Sequence, residues 1–148
     1  MPPVGREQAC SGIGEAIAAQ AEQWIDVLFV PQGRVRAGCD CKGYIAGVLG
    51  ELGRPEADSL EALAGDYGAV DPARLRAGLV RLFDQVEERL AGDILLCKFK
   101  GVAQHLAIAA PTELRPDRAI EAMPSGPGRV RPALWPDHRI DSIWRVKS

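Results

Sequence analysis

Residues 38–53 read GCDCKGYIAGVLGELG, and the fold is decided by how this stretch is read. Ile45, Val48, Leu49 and Leu52 fall at i, i+3, i+4 and i+7, the spacing that gathers side chains on one face of a helix. Asp40 is the natural N-cap, Gly53 the C-terminal stop, and Pro55 blocks continuation, so the pattern predicts a helix from about Cys41 to Leu52. Cys41 then stands in the first turn. Unpaired backbone N–H groups and the positive end of the helix dipole stabilise a thiolate there, lowering a pKa that is ordinarily about 8.5. Cys41 is therefore the candidate nucleophile, with a buried small hydrophobe as the plain alternative. Gly43 and Gly47, four apart, would let another element approach this helix closely.

Upstream, Ile13, Ile17, Ala21 and Trp24 form one stripe of a first helix that must end before Pro31. Downstream, Asp58 with Glu61 resembles a capping box for a short helix through Leu63, stopped by Gly65. Asp71-Pro72 opens a longer helix with Leu75, Leu79, Leu82, Val86 and Leu90 on its buried face, closed by Ala91-Gly92. From Asp93 the period changes. In ILLCKFK, residues 94–100, Leu95, Cys97 and Phe99 share one face while Ile94, Leu96, Lys98 and Lys100 share the other, the alternation of a half-buried strand. After a turn at Gly101, HLAIAA reads as the hairpin partner and puts His105 at a strand start. RAIEAM, residues 118–123, and a segment near Arg129–Arg131 read as further short strands. Helices followed by an antiparallel sheet predict an α+β domain occupying residues 1–148 as one unit.

At 148 residues the chain can bury a real core without metal or disulfide staples, so its cysteines are free for other uses. Eighteen Lys and Arg against twenty Asp and Glu give a net charge of −2, which argues against a dedicated nucleic-acid binder. No apolar run approaches the roughly 18 residues of a membrane span. The opening residues MPPVGREQACSGIGEAIAAQ lack the basic start and continuous apolar segment of a secretory signal, so cytoplasmic synthesis with reduced thiols is expected.

A thiol nucleophile needs a base, and the only histidines are His105 and His138. His105 is preferred. Its same-side strand neighbours Ala107 and Ala109 are small and would receive the glycine-bearing helix of Cys41, while Leu106 and Ile108 point to a core. Glu121, flanked by Ile120 and Ala122, would present its carboxylate on the opposite side from theirs, where it can orient the imidazole and stabilise the imidazolium. A solvated strand residue is the alternative for Glu121. Zinc held by Cys39, Cys41, Cys97 and His105 is disfavoured, because Cys-x-Cys is too short for the usual ligand interval, and no cofactor is expected. Arg34 and Arg36 are candidates for binding substrate carboxylates. Trp24, Trp135 and Trp144 are expected in the core or at an interface, His138 in a loop, and Cys39 and Cys97 in packing roles.

Together, Trp24 and Phe29 ahead of GCDCKGY, then GDILL at 92–96 and HLAI at 105–108, resemble the NlpC-type cell-wall endopeptidases, a papain-like group of cysteine peptidases. RPALWPDHRIDSIWRVKS at the C-terminus resembles its subgroup from phage and gene transfer agent tails. The resemblance implies a papain-like fold, hydrolysis of an amide in peptidoglycan stem peptides, and the catalytic order Cys41, His105, Glu121. It also implies tail tip or baseplate partners, with virion localisation. Departures are Lys42 where the family has Ser, Asp26 for glycine, Phe29 where a tyrosine is frequent near the oxyanion site, and Glu121 for His, Asn or Gln. A structural tail component with a decayed site, or an amidase or acyltransferase on the same scaffold, are the alternatives.

Overall fold

The computed structural model of the chain describes residues 6–63, 72–111, 117–126 and 128–147. Four helices come first in order, α1 (Arg6–Glu22), α2 (Cys41–Glu51), α3 (Glu56–Leu63) and α4 (Pro72–Leu82). A two-stranded ribbon, β1 (Arg34–Val35) and β2 (Gly38–Cys39), lies between α1 and α2. Then follow β3 (Phe83–Val86), β4 (Ile94–Phe99), β5 (Val102–Ala109), β6 (Arg118–Ala122), β7 (Val130–Leu134) and β8 (Ile140–Val146). These six form one antiparallel sheet in the order β3-β8-β4-β5-β6-β7. The α+β expectation holds. Among the described residues no helix is long and apolar enough to cross a membrane.

β4 lies between β5 and β8, which pair both of its edges, and each of its faces packs into a separate cluster, so Ile94 to Cys97 are all buried. The expected half-buried strand is thus corrected: only Lys98 and Phe99 reach the surface. Ile94 and Leu96 join the main core with Leu106, Ile108, Ile120 and the α2 residues Tyr44, Ile45, Val48 and Leu49. Full burial of each such aliphatic side chain stabilises the fold by about 1.5–3 kcal/mol. Leu95 and Cys97 enter a second core on the opposite face, with Ala107, Ala109, Ala119 and Trp135. The small-residue face of β5 therefore receives Trp135, and α2 packs instead over Leu106 and Ile108. The glycines of α2 face the ribbon: a Cβ on Gly43 would lie 1.7 Å from the Gly33 carbonyl oxygen, and one on Gly47 would meet Trp24.

Two helix boundaries and one strand start differ from what the sequence predicts. α3 begins at Glu56, so Asp58 lies inside its first turn and caps nothing. The long fourth helix stops at Leu82, because Phe83–Val86 pairs with β8 as a strand, and Leu90 is exposed. Edge pairing there outcompetes a helical pattern that the apolar spacing alone supports. The Gly65 stop and the Asp71 cap lie outside the described residues. The β4–β5 hairpin turns on Lys100 and Gly101, both at positive φ, so β5 starts at Val102 and His105 sits within it.

The C-terminal stretch supplies β8, a strand the sequence reading left out. Trp24, Trp135 and Trp144 are all buried, which settles them in the core. His138 is exposed in a short 3-10 turn.

Candidate active site

The start of α2 is fixed by Asp40. Its Oδ1 accepts the Gly43 N–H at 2.7 Å and its Oδ2 the Gln32 N–H at 2.9 Å, capping the helix and tying it to the preceding loop. Glycine at 43 lets the Gly33–Arg34 backbone lie directly on this turn. Cys41 is thereby held with little freedom.

His105 reaches Cys41 from β5. The β4–β5 register shifts between Cys97, opposite His105, and Lys98, opposite Ala103, leaving Gln104 as an extra residue on β5. Such a bulge re-aims side chains. Gln104 and His105, which regular alternation would send to opposite faces, both line one cleft. The His105 Nε2 lies 3.1 Å from Glu121 Oε1, and the ring is also hydrogen-bonded to Cys41. Glu121, on β6, accepts the indole N–H of Trp135 and has Arg131 Nε 3.6 Å from its other oxygen. Trp135 also packs against the imidazole, centroid to centroid at 5.5 Å.

Electrostatics follow from these contacts. Burial opposes ionisation of Cys41, yet the hydrogen bond and charge of His105, the Lys42 ammonium and the Leu106 backbone N–H hold the thiol below its usual range. Burial alone would lower the His105 pKa; hydrogen bonds and charge from Cys41 and Glu121 instead raise it to about 9. Glu121 is held below the ordinary carboxylate range despite its burial, by His105, Trp135 and Arg131. Between the two pKa values of the pair, a thiolate faces an imidazolium backed by a carboxylate. The neighbouring thiols differ: burial, with the charges of Asp40 and Cys41, pushes Cys39 up to about 12, and burial with Glu121 pushes Cys97 higher still. Both stay protonated and inert at neutral pH.

The cleft above the pair has a volume of about 270 Å³ and is lined by Phe29, Phe99, Met123 and Pro124 besides Cys41, Lys42, Gln104 and His105. A groove of about 830 Å³ runs along Gln85–Arg89 and Ile140–Ile143, but among the described residues neither a cysteine nor a histidine lines it, so its size says nothing about thiol chemistry. The structure thus brings together Cys41, His105 and Glu121, and puts Phe29 on the cleft wall. Arg34 and Arg36 do not line it. Arg36 makes two 2.7 Å contacts to Glu51 and lies over Trp24, while Arg34 is 3.8 Å from Asp58.

Two residues escaped the sequence reading. Trp135 serves the site as a donor to Glu121, which only sheet pairing reveals. Lys42 lines the cleft, and its place directly after the thiol was the available signal. Asp26 sits at φ 78°, a left-handed conformation that aspartate tolerates better than most residues.

No protein-family model matches this sequence, and no curated protein matches it significantly. Solved structures do. The NlpC/p60 domain of the peptidoglycan hydrolase SagA is similar over 91% of this chain and 98% of that one, at 27% identity and a TM-score of 0.57. NlpC2 from Trichomonas vaginalis is 15% identical with a TM-score of 0.62, covering 90% of this chain and 46% of its own. The peptidoglycan hydrolase RipB from Mycobacterium tuberculosis is 14% identical with a TM-score of 0.57, over the whole of this chain and 74% of its own. With its helices, its six-stranded antiparallel sheet and a cysteine at the head of α2, the chain has the papain-like α+β fold of NlpC/p60 domains.

Proposed function

We propose that this chain is an NlpC-type cysteine peptidase that hydrolyses an amide bond in peptidoglycan stem peptides. The observation that carries the reading is the Cys41–His105–Glu121 contact chain beneath an open cleft, with the thiol pKa depressed and the imidazole pKa raised. The Cys41 thiolate attacks the scissile carbonyl carbon, and the carbonyl oxygen becomes an oxyanion beside the free N–H groups at the α2 N-terminus. His105 gives its proton to the departing amine as the C–N bond breaks. It then takes a proton from water, whose oxygen attacks the thioester and releases the acid and the thiolate. Glu121 touches no substrate; it positions the imidazole and stabilises its charge, and Phe29 contacts the substrate from the cleft wall. Similarity to peptidoglycan hydrolase domains supports the substrate class.

The thiolate and imidazolium coexist only below the His105 pKa, so activity is expected to fall as pH rises through about 9. Purified protein incubated with peptidoglycan sacculi, beside Cys41→Ala, tests the reading. New muropeptides from the native chain alone are expected. Equal release by both, or release by neither, overturns it and favours a structural role for the fold.

On the same reading the chain acts as a tail tip or baseplate component of a phage-like particle or gene transfer agent, which would carry it to the wall. Resemblance of the C-terminal stretch to tail peptidases supports this. Co-purification with intact tails is expected, and absence from them refutes it.

A further inference from the structure

Among the described residues Lys42 is a buried ammonium with no acidic partner. It is 8% exposed, and its Nζ lies 3.8 Å from Cys41 Sγ. Among the described residues no carboxylate pairs with it; the carboxylate of Asp40, two positions back, is taken up by the Gly43 and Gln32 amides. An ammonium carries three donors, and only one is aimed at the sulfur. Holding a charge in such a place is costly unless something compensates it. Whenever Cys41 is ionised, its thiolate does so. Once the sulfur is acylated its charge is gone, and compensation must come from whatever occupies the cleft. Among the described residues no Asp or Glu lines that cleft: its other walls are Phe29, Phe99, Gln104, Ala122, Met123, Pro124 and Ser125, with His105 as a second cation.

We propose that Lys42 is a specificity-determining residue, whose ammonium binds a free carboxylate on the substrate next to the scissile amide and so discriminates it from the corresponding carboxamide. The identity of the substrate rests on the peptidase reading above; the anion site does not. The carboxylate replaces the thiolate as the partner of Lys42 when the acyl-enzyme forms, so the charge stays compensated through the reaction.

Iodoacetate and iodoacetamide separate the two questions, since they differ only in a carboxylate against an amide. With each, a Cys41 sulfur–carbon bond forms and iodide leaves, so changes in the thiolate fraction cancel in the ratio of their rates. Mass spectrometry reads modification at Cys41 in the intact chain. The iodoacetate-to-iodoacetamide ratio is expected to fall about tenfold in Lys42→Met and Lys42→Gln, and to stay within about twofold in Lys42→Arg, which keeps the charge. An unchanged ratio in both neutral variants, with native thermal unfolding, overturns the proposal. Matched stem peptides bearing a free carboxylate or its amide beside the scissile bond are the second arm. There the native preference for the carboxylate is expected to collapse in the same variants. Peptides cleaved with the same preference by native and neutral variants overturn the role of Lys42 and leave the peptidase standing. A lowered alkylation ratio with neither peptide cleaved keeps the anion site and overturns the peptidase.

Discussion

Replacing Glu121 by glutamine keeps the shape of the side chain and an acceptor for His105 but removes the charge behind the imidazolium. Glu121 is 2% exposed, so water cannot substitute for it. A hydrogen bond to a charged group contributes about 1.5–3 kcal/mol, and that is what the imidazolium loses relative to the neutral ring. With 1.36 kcal/mol per pH unit, the His105 pKa, about 9 in the native chain, should fall by about one to two units. The thiolate–imidazolium pair weakens by the same free energy, so kcat/KM near neutral pH should drop by roughly 10- to 150-fold. The assay is kcat/KM against pH on a soluble stem peptide, with circular dichroism to verify folding. The alkaline limb should move to between about 7 and 8. If Glu121→Gln lowers the rate but leaves that limb where it is, Glu121 does not hold the imidazolium and the electrostatic account of the site is wrong.

Asp40→Ala removes two side-chain hydrogen bonds at the start of α2 and should cost about 1–2 kcal/mol in urea unfolding, with slower Cys41 alkylation as the helix start loosens. Arg145→Ala strips Asp93 of two contacts at 2.8 Å, and Asp93 is 2% exposed. A buried carboxylate left without its cation should cost about 3 kcal/mol, and a loss below about 1 would mean water reaches it. Asp26→Gly relieves a positive φ of 78° and should change stability by less than about 1 kcal/mol, in the stabilising direction. Asp26 Oδ1 also lies 3.7 Å from Arg129 Nη1 at the surface, and a clear destabilisation would show that this pair matters more than the backbone.

α2 was legible because every signal for it is local. Asp40 caps it, its apolar residues repeat at helical spacing, and Pro55 forbids continuation, so its bounds fall within a residue of those read from the sequence. β4, β5 and β6 were legible for the same reason, through alternation and the Lys100-Gly101 turn. The fourth helix was overextended because Val86 and Leu90 continue its apolar spacing, while what ends it is a hydrogen-bonded partner sixty residues away in β8. The burial of β4 on both faces likewise comes from distant residues: Trp135 packs with Leu95 and Cys97 on the second face, and nothing within β4 announces that.

For the site the division is similar. Dipole and cap at a helix start are properties of a few adjacent residues, so the chain alone marked Cys41 as the acidified thiol and narrowed its base to one of two histidines. Which groups meet it depended on register and on a bulge. One extra residue, Gln104, turns His105 toward the cleft, and the β6–β7 pairing brings Trp135 and Arg131 to Glu121. Tertiary packing likewise turned Arg36 to Glu51 and left Lys42 beside the sulfur with no acid among the described residues. Local chemistry is written in neighbours along the chain; pairing and charge compensation are decided by neighbours in space, and only folding chooses those.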